Sequence, residues 1–271
     1  MFIKFYCKAR PTKTAVIVTT FNWPAALDQV LSSLASQTYS PDVIVITDDG
    51  SDQRTAEIIR VWSGKLHLKH AWQPDSGFRA SRARNLGVAK ILCADEYYVV
   101  MIDGDCVLPS NFIEMHTRLQ RRGWMLAGGR VLVGASDTTD LLRSGVTLNS
   151  LRFCEFKFRY LSLGFIRRLR SRNWKIVRTC NVSLWLDDFL KVGGFDEAFV
   201  GWGREDSDLV VRLIRSGIRI INGRFAASVK HLYHNEVDRS RSVSNLDAFQ
   251  KLQGSQSRVL PTKSIFKYFE S

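Results

Sequence analysis

Two acidic clusters carry the chemistry legible in this chain. The apolar, strand-forming run Val99-Val100-Met101-Ile102 stops at Asp103-Gly104-Asp105, and Cys106-Val107-Leu108-Pro109 turns the chain away. A buried strand would thereby deliver two carboxylates to its C-terminal edge, where ligands bind in open α/β sheets; an acidic pair around glycine is equally an ordinary surface turn. The second cluster is Gly201-Trp202-Gly203-Arg204-Glu205-Asp206-Ser207-Asp208-Leu209. Its glycines allow close backbone approach, and Trp202 offers a flat face. A sugar ring needs such an aromatic platform, and carboxylates for its hydroxyls. Glu205 and Asp206 open a helical pattern whose dipole favours negative charge, although the same acids could simply cap it. Arg79, Arg82 and Arg84 lie near another helix start, a place suited to a phosphate and equally to a solvated basic face. His231 and His234 are either the completion of an oxygen-rich metal site or ordinary polar residues.

The elements that must position these groups alternate. Ala15–Thr20 and Val43–Thr47 read as buried parallel strands, followed by helices through Leu27, Val30, Leu31 and Leu34, and through Ala56, Ile58, Ile59 and Val61. A short strand over Leu66–Ala71, a helix through Leu86–Leu92 and the strand ending at Asp103 continue the pattern, which predicts βαβ units and a mostly parallel sheet. A helix through Phe112, Met115 and Leu119, a strand at Met125–Val133 and a short strand at Ile218–Ile221 follow. Between about 150 and 175 the alternation breaks. Aromatics such as Phe153, Phe156 and Phe165 are interleaved there with Arg159, Arg167 and Arg170, which suits an anionic membrane surface, single-stranded nucleic acid, or a packed helical insert.

The 271 residues suffice for a sizeable core, and a composition 45% hydrophobic and 24% charged is that of a soluble globular protein. A net charge of +13 implies an anionic partner without choosing one. Five scattered cysteines, Cys7, Cys93, Cys106, Cys154 and Cys180, argue for reduced thiols, and no apolar run is long enough to span a bilayer, so a cytoplasmic location is expected.

Together these segments resemble the inverting, nucleotide-sugar-dependent glycosyltransferases of the GT-A fold, family 2. The resemblance rests on Thr19-Thr20-Phe21-Asn22, Asp48-Asp49-Gly50-Ser51, Arg82-Ala83-Arg84-Asn85-x-Gly87 and the D-x-D, with a galactosyltransferase-type block at Gly193-Gly194-Phe195-Asp196-Glu197 and Gly201–Leu209. It implies a single continuous α/β domain: a Rossmann-like nucleotide-binding half over 14–135, after an extension over 1–13, and an acceptor-binding half over 136–240, with 241–271 as a tail or lid. It implies nucleotide contacts from Thr19, Thr20, Phe21, Asn22, Asp48, Asp49, Arg79, Arg82, Arg84, Asp103 and Gly104. Mn²⁺ or Mg²⁺ would be held by Asp103 and Asp105 with His231 or His234. Asp206 would be the catalytic base, with Glu205, Trp202, Gly203 and Asn181 facing the sugar or acceptor. The implied partners are a UDP-sugar donor, a glycan or lipid-linked glycan acceptor in cell-surface polysaccharide or lipopolysaccharide synthesis, and an anionic membrane face; nucleic acid is disfavoured. A nucleotidyltransferase, which carries a glycine-rich basic signature after its first strand, and a non-catalytic RNA- or lipid-binding module are the competing readings.

Overall fold

The computed structural model describes residues 12–92, 95–144, 171–235, 239–255 and 257–269; most of the basic aromatic stretch and most of the N-terminal extension lie outside them. One eight-stranded sheet runs in the order β3 (Leu68–Trp72), β2 (Val43–Asp48), β1 (Lys13–Thr20), β4 (Tyr97–Asp103), β7 (Asn181–Trp185), β6 (Trp124–Leu132), β8 (Arg219–His231), β5 (Cys106–Val107). The first four strands pair in parallel, as does β6 with β8, and the remaining pairings are antiparallel. The mostly parallel α/β architecture expected from the strand–helix alternation is therefore present.

Strand alternation sorts the core into two layers. Val16, Val18, Ile44 and Ile46 face α1 (Pro24–Ala35) through Leu27 and Leu31, while Ala15, Ile17, Val43 and Val45 face Val88 of α3 (Ala80–Ala89). Pro24 opens α1, where its missing N–H costs nothing, and Asp52 caps α2 (Gln53–Ser63) by accepting from the Arg54 N–H. Gly87 is where α3 comes closest to the sheet: a Cβ there would lie 1.9 Å from Thr47 Cγ2. Gly87→Ala is accordingly expected to destabilise the fold by about 1–3 kcal/mol through overpacking, read as a lower urea midpoint at unchanged m-value.

Two stretches depart from the sequence expectation. The strand expected over Ile218–Ile221 continues to His231, because the chain loops out between Gly223 and Ser228 and then resumes pairing with β6 at Gly129. The segment after 241, expected as a tail or lid, is built into the molecule. After α4 (Phe112–Leu119), α5 (Ala135–Ser144), α6 (Leu186–Lys191) and α7 (Glu205–Arg215), it forms α8 (Ser242–Gly254) and a 3₁₀ turn at Ile265–Tyr268, with Ile265 fully buried. Asp196 accepts from the backbone N–H groups of Thr262 and Lys263, and Glu197 pairs with Lys267. Among the described residues, no helix is long and apolar enough to cross a membrane.

Candidate active site

The acidic strand end is placed by sheet register. Asp103 lies beside Thr19 across the β1–β4 pair, and the Gly104 N–H donates to the Thr19 carbonyl at 2.7 Å. A Cβ on Gly104 would stand 3.0 Å from Thr20, a tight contact that the absence of a side chain avoids. Thr20 is buried and Thr19 Oγ1 accepts from the Thr47 hydroxyl at 3.2 Å, which leaves Phe21 and Asn22 exposed just beyond the strand.

The second acid of the motif turns to β8. Asp105 accepts from the Leu232 N–H through its carbonyl, and its Oδ2 lies 3.6 Å from His231 Nε2 and 3.5 Å from His234 Nε2. These separations exceed a good hydrogen bond, and one donor atom from each of the three residues falls within 4.8 Å of the others. Burial pushes the Asp105 carboxyl up, and the two imidazoles only partly offset this. A half-buried carboxylate converging with two ring nitrogens fits a divalent cation. Both histidines face Asp105, where the resemblance implied one or the other as a ligand. Asp103, also expected as a ligand, points elsewhere.

Asp103 Oδ1 accepts from Arg84 Nη2 at 2.9 Å, and Arg84 Nη1 lies 3.6 Å from Glu205 Oε1. Arg84 is buried in α3, so it is a counter-ion joining the two acidic clusters rather than a side chain free for a diphosphate. Its neighbour Asn85 closes the same seam: its amide donates to the Phe195 carbonyl and to Glu197, and accepts from the Phe195 N–H. Arg82 hydrogen-bonds Tyr268, which turns it to the C-terminal segment. Arg82 and Arg84, expected with Arg79 at the diphosphate or the base, are thus engaged with Tyr268 and with the Asp103 and Glu205 carboxylates in this structure.

Glu205 opens α7 (Glu205–Arg215), with its side chain only 13% exposed and its Oε2 unpartnered among the described residues. Burial, reinforced by Asp206 and opposed by Arg84, raises its pKa to about 7. The unfolded value is near 4.5, so the unfolded chain gives up this proton first. Folding stability from this group is present below the unfolded value and declines as pH rises toward 7; the urea midpoint should fall over that window, and Glu205→Gln should flatten the decline. Asp206 accepts from the Ser207 N–H at 2.6 Å and the Ser207 hydroxyl at 3.1 Å, both on Oδ1, which fixes the carboxylate at the helix start.

At the other end of the strand edge, Asp48 Oδ1 accepts from the Ser51 N–H, and its Oδ2 meets His70 Nε2 at 3.2 Å. Asp49 accepts from Gln73 and from the Arg79 N–H. Both carboxylates therefore shape the loops around this end, and any base N–H would share an oxygen already in use. Asn22, at φ 45°, braces the same turn: its N–H donates to Ser51 Oγ and its Oδ1 accepts from the Asp52 N–H. Phe21 and Trp72 are half-exposed aromatics at the ends of β1 and β3, on either side of Asp48. Trp72 escaped the sequence reading, though an aromatic ending a strand beside an acidic turn was a usable signal. Gln73 Oε1 and Arg79 Nε are also buried and unpartnered among the described residues.

In the second acidic block, Gly201 and Gly203 take φ 79° and 107°, and Trp202 projects between them, 41% exposed. The loop is tied to the nucleotide side by the Gly201 N–H donating to the Phe78 carbonyl. Asn181 does not join it. Its amide donates to the carbonyls of Gly129 and Ala227 and its Oδ1 contacts His116, all in the core, so the expected sugar contact at Asn181 is corrected to a structural crosslink.

Comparison with known proteins reads the same architecture. The model of glycosyl transferase family 2 matches residues 15–185, more than half of the chain, and the N-terminal domain of galactosyltransferase matches 166–235. Validoxylamine A glucosyltransferase of Streptomyces hygroscopicus subsp. limoneus is 28% identical, covering 87% of this chain and 55% of its own length. Hyaluronan synthase of Pasteurella multocida is 29% identical, covering 82% of this chain and 24% of its own. The chain thus spans at most about half the length of these two curated relatives. Among solved structures, Staphylococcus aureus TarS 1–349 with UDP superposes at TM-score 0.64, 17% identity, covering 90% of this chain and 65% of that one. The mannosyltransferase PcManGT of Pyrobaculum calidifontis with GDP-Man and Mn²⁺ gives 0.58 and 17%, covering 83% and 57%. At these identities the structural likeness shows the fold, which is the GT-A arrangement.

Proposed function

Since the chain belongs to glycosyl transferase family 2, we propose that it transfers a hexose or N-acetylhexosamine from a nucleotide sugar, with UDP as carrier, to a hydroxyl of a glycan or glycolipid, inverting the anomeric centre, in cell-surface polysaccharide or lipopolysaccharide assembly. The observation that carries this reading is the buried Arg84, which binds Asp103 of the D-x-D and Glu205 of the second block at once and so makes one site of the two clusters.

In this reading the nucleobase end rests on Phe21, Asn22 and Trp72, framed by Asp48 and Asp49. Asp105, His231 and His234 hold a divalent cation, and their two imidazole nitrogens suit Mn²⁺ better than Mg²⁺. When bound, that cation supplies positive charge for the departing diphosphate. Glu205, with an unpartnered buried oxygen, receives a hydroxyl of sugar or acceptor, and Trp202 stacks on the ring. Asp206 takes the proton of the attacking hydroxyl, whose pKa lies far above neutrality. Attack on the face opposite the leaving group in a single displacement gives inversion.

Thermal shift with a panel of nucleotide sugars and Mn²⁺ tests the donor, because a ligand of the native state raises the melting temperature. Release of UDP from one of them supports the transferase; salt-sensitive RNA binding with no turnover by any donor would instead favour the RNA-binding module. The nucleotidyltransferase reading lacks its glycine-rich signature, since Thr19-Thr20-Phe21-Asn22-Trp23-Pro24 occupies that place. Docking on an anionic membrane is proposed from the charge of +13; co-sedimentation with neutral and anionic vesicles alike would remove it.

A further inference from the structure

The strand that brings His231 to Asp105 is broken on the way. β8 pairs with β6 as far as Gly223 opposite Gly128, loops out from Arg224 to Ala227, and resumes at Ser228 opposite Gly129. The point of restart decides which face each later side chain takes. A register one residue off would turn His231 away from Asp105, because side chains alternate along a strand. Asn181 of β7 clamps the restart. Its amide donates to the Gly129 carbonyl on β6 at 2.7 Å and to the Ala227 carbonyl on β8 at 2.8 Å. Gly128 leaves the room for it: a Cβ there would lie 2.3 Å from Asn181 Cγ.

The amide is itself held in one orientation. Both of its N–H groups go to carbonyls, so its Oδ1 accepts, and His116 Nε2 of α4, 3.1 Å away, must carry the proton. Burial keeps this imidazole neutral, with a pKa of about 3, which leaves Nδ1 to accept from the Ser183 hydroxyl at 2.6 Å. Ser183 Oγ in turn accepts from the Tyr98 hydroxyl at 2.7 Å. All four side chains are buried, and each proton of the chain has one place to go.

We propose that Asn181 is a positioning residue for the cation site: by clamping β8 to β6 at the restart it sets the register that carries His231, and His234 beyond it, to Asp105, while His116 holds the Asn181 amide in the orientation this requires. The proposal rests on the reading of Asp105, His231 and His234 as ligands of a divalent cation.

For the test, Mn²⁺ is titrated into the full chain with UDP, and the free ion is read by paramagnetic resonance. Asn181→Ala should weaken Mn²⁺ by about tenfold or more, as loss of a group that orients metal ligands typically does. His116→Leu, which leaves Asn181 Oδ1 without a donor, should weaken it less. His116→Gln, whose amide can donate to the same oxygen, should recover most of that loss. Ile44→Ala, a cavity in β2 on the far side of the sheet, should lower the urea midpoint without changing Mn²⁺ affinity. Hydrogen exchange gives a readout independent of the metal: in Asn181→Ala the Leu232 N–H, which donates to the Asp105 carbonyl, should lose protection that the amides of β1 keep. Unchanged Mn²⁺ affinity and unchanged Leu232 protection in Asn181→Ala overturn the proposal. Should that variant fail to fold, a His116→Gln affinity no better than that of His116→Leu does the same. If the unaltered protein binds no Mn²⁺, the cation site of the proposed function falls and this role with it, whereas Mn²⁺ binding that ignores the substitutions sinks the positioning role alone.

Discussion

Asp206→Asn lowers glycosyl transfer by about 10²- to 10⁴-fold and leaves nucleotide binding unchanged. The asparagine keeps the volume and the hydrogen bonds that Ser207 donates at 2.6 and 3.1 Å, so α7 still starts in the same place. It cannot take a proton from the attacking hydroxyl. Single-turnover transfer alongside UDP calorimetry separates the two effects, and turnover close to that of the unaltered protein would end the assignment of Asp206 as base. Glu205 is the control: its pKa near 7 reflects burial and the Asp206 charge. Glu205→Gln should therefore alter the neutral limb of the pH–rate profile while retaining measurable transfer.

Stripping the metal with EDTA abolishes transfer, and Mn²⁺ restores it. The discriminating variant is Asp105→Asn, which removes the carboxylate lying 3.5 and 3.6 Å from two imidazole nitrogens. Changes outside a metal's immediate ligands typically cost 10- to 100-fold in affinity, so loss of a direct ligand should weaken Mn²⁺ by at least about 100-fold, read from the paramagnetic resonance of free ion. Asp103→Asn should weaken Mn²⁺ less, because its carboxylate is engaged with Arg84; its expected signature is instead an altered titration of Glu205 on the far side of that guanidinium. Equal losses of Mn²⁺ affinity in the two variants would return Asp103 to the ligand set. Activity indifferent to chelation would remove the metal altogether.

The sequence by itself determined the α/β alternation, the family and the two acidic clusters, because strand and helix periodicities are local and the motifs are contiguous. It carried the strand end at Asp103, the start of α7 at Glu205 and the exposed Trp202 beside it. What it could not carry were pairings across long separations. Arg84 looks like a phosphate ligand when read beside Arg79 and Arg82. Only the tertiary structure shows that it reaches from α3 to the end of β4 and the start of α7, where two carboxylates make it a buried counter-ion. Asn181 reads as a site residue by its place in a motif, yet the sheet surrounds it with carbonyls that need its amide. The metal cluster depends on where β8 ends. A strand visible only as Ile218–Ile221 loops out, resumes, and brings His231 opposite Cys106, beside Asp105. The opening motif thus divides between two tasks. Both acids sit on the same edge, but one meets Arg84, 19 residues away in sequence, and strand register brings the other to two histidines more than a hundred residues further on.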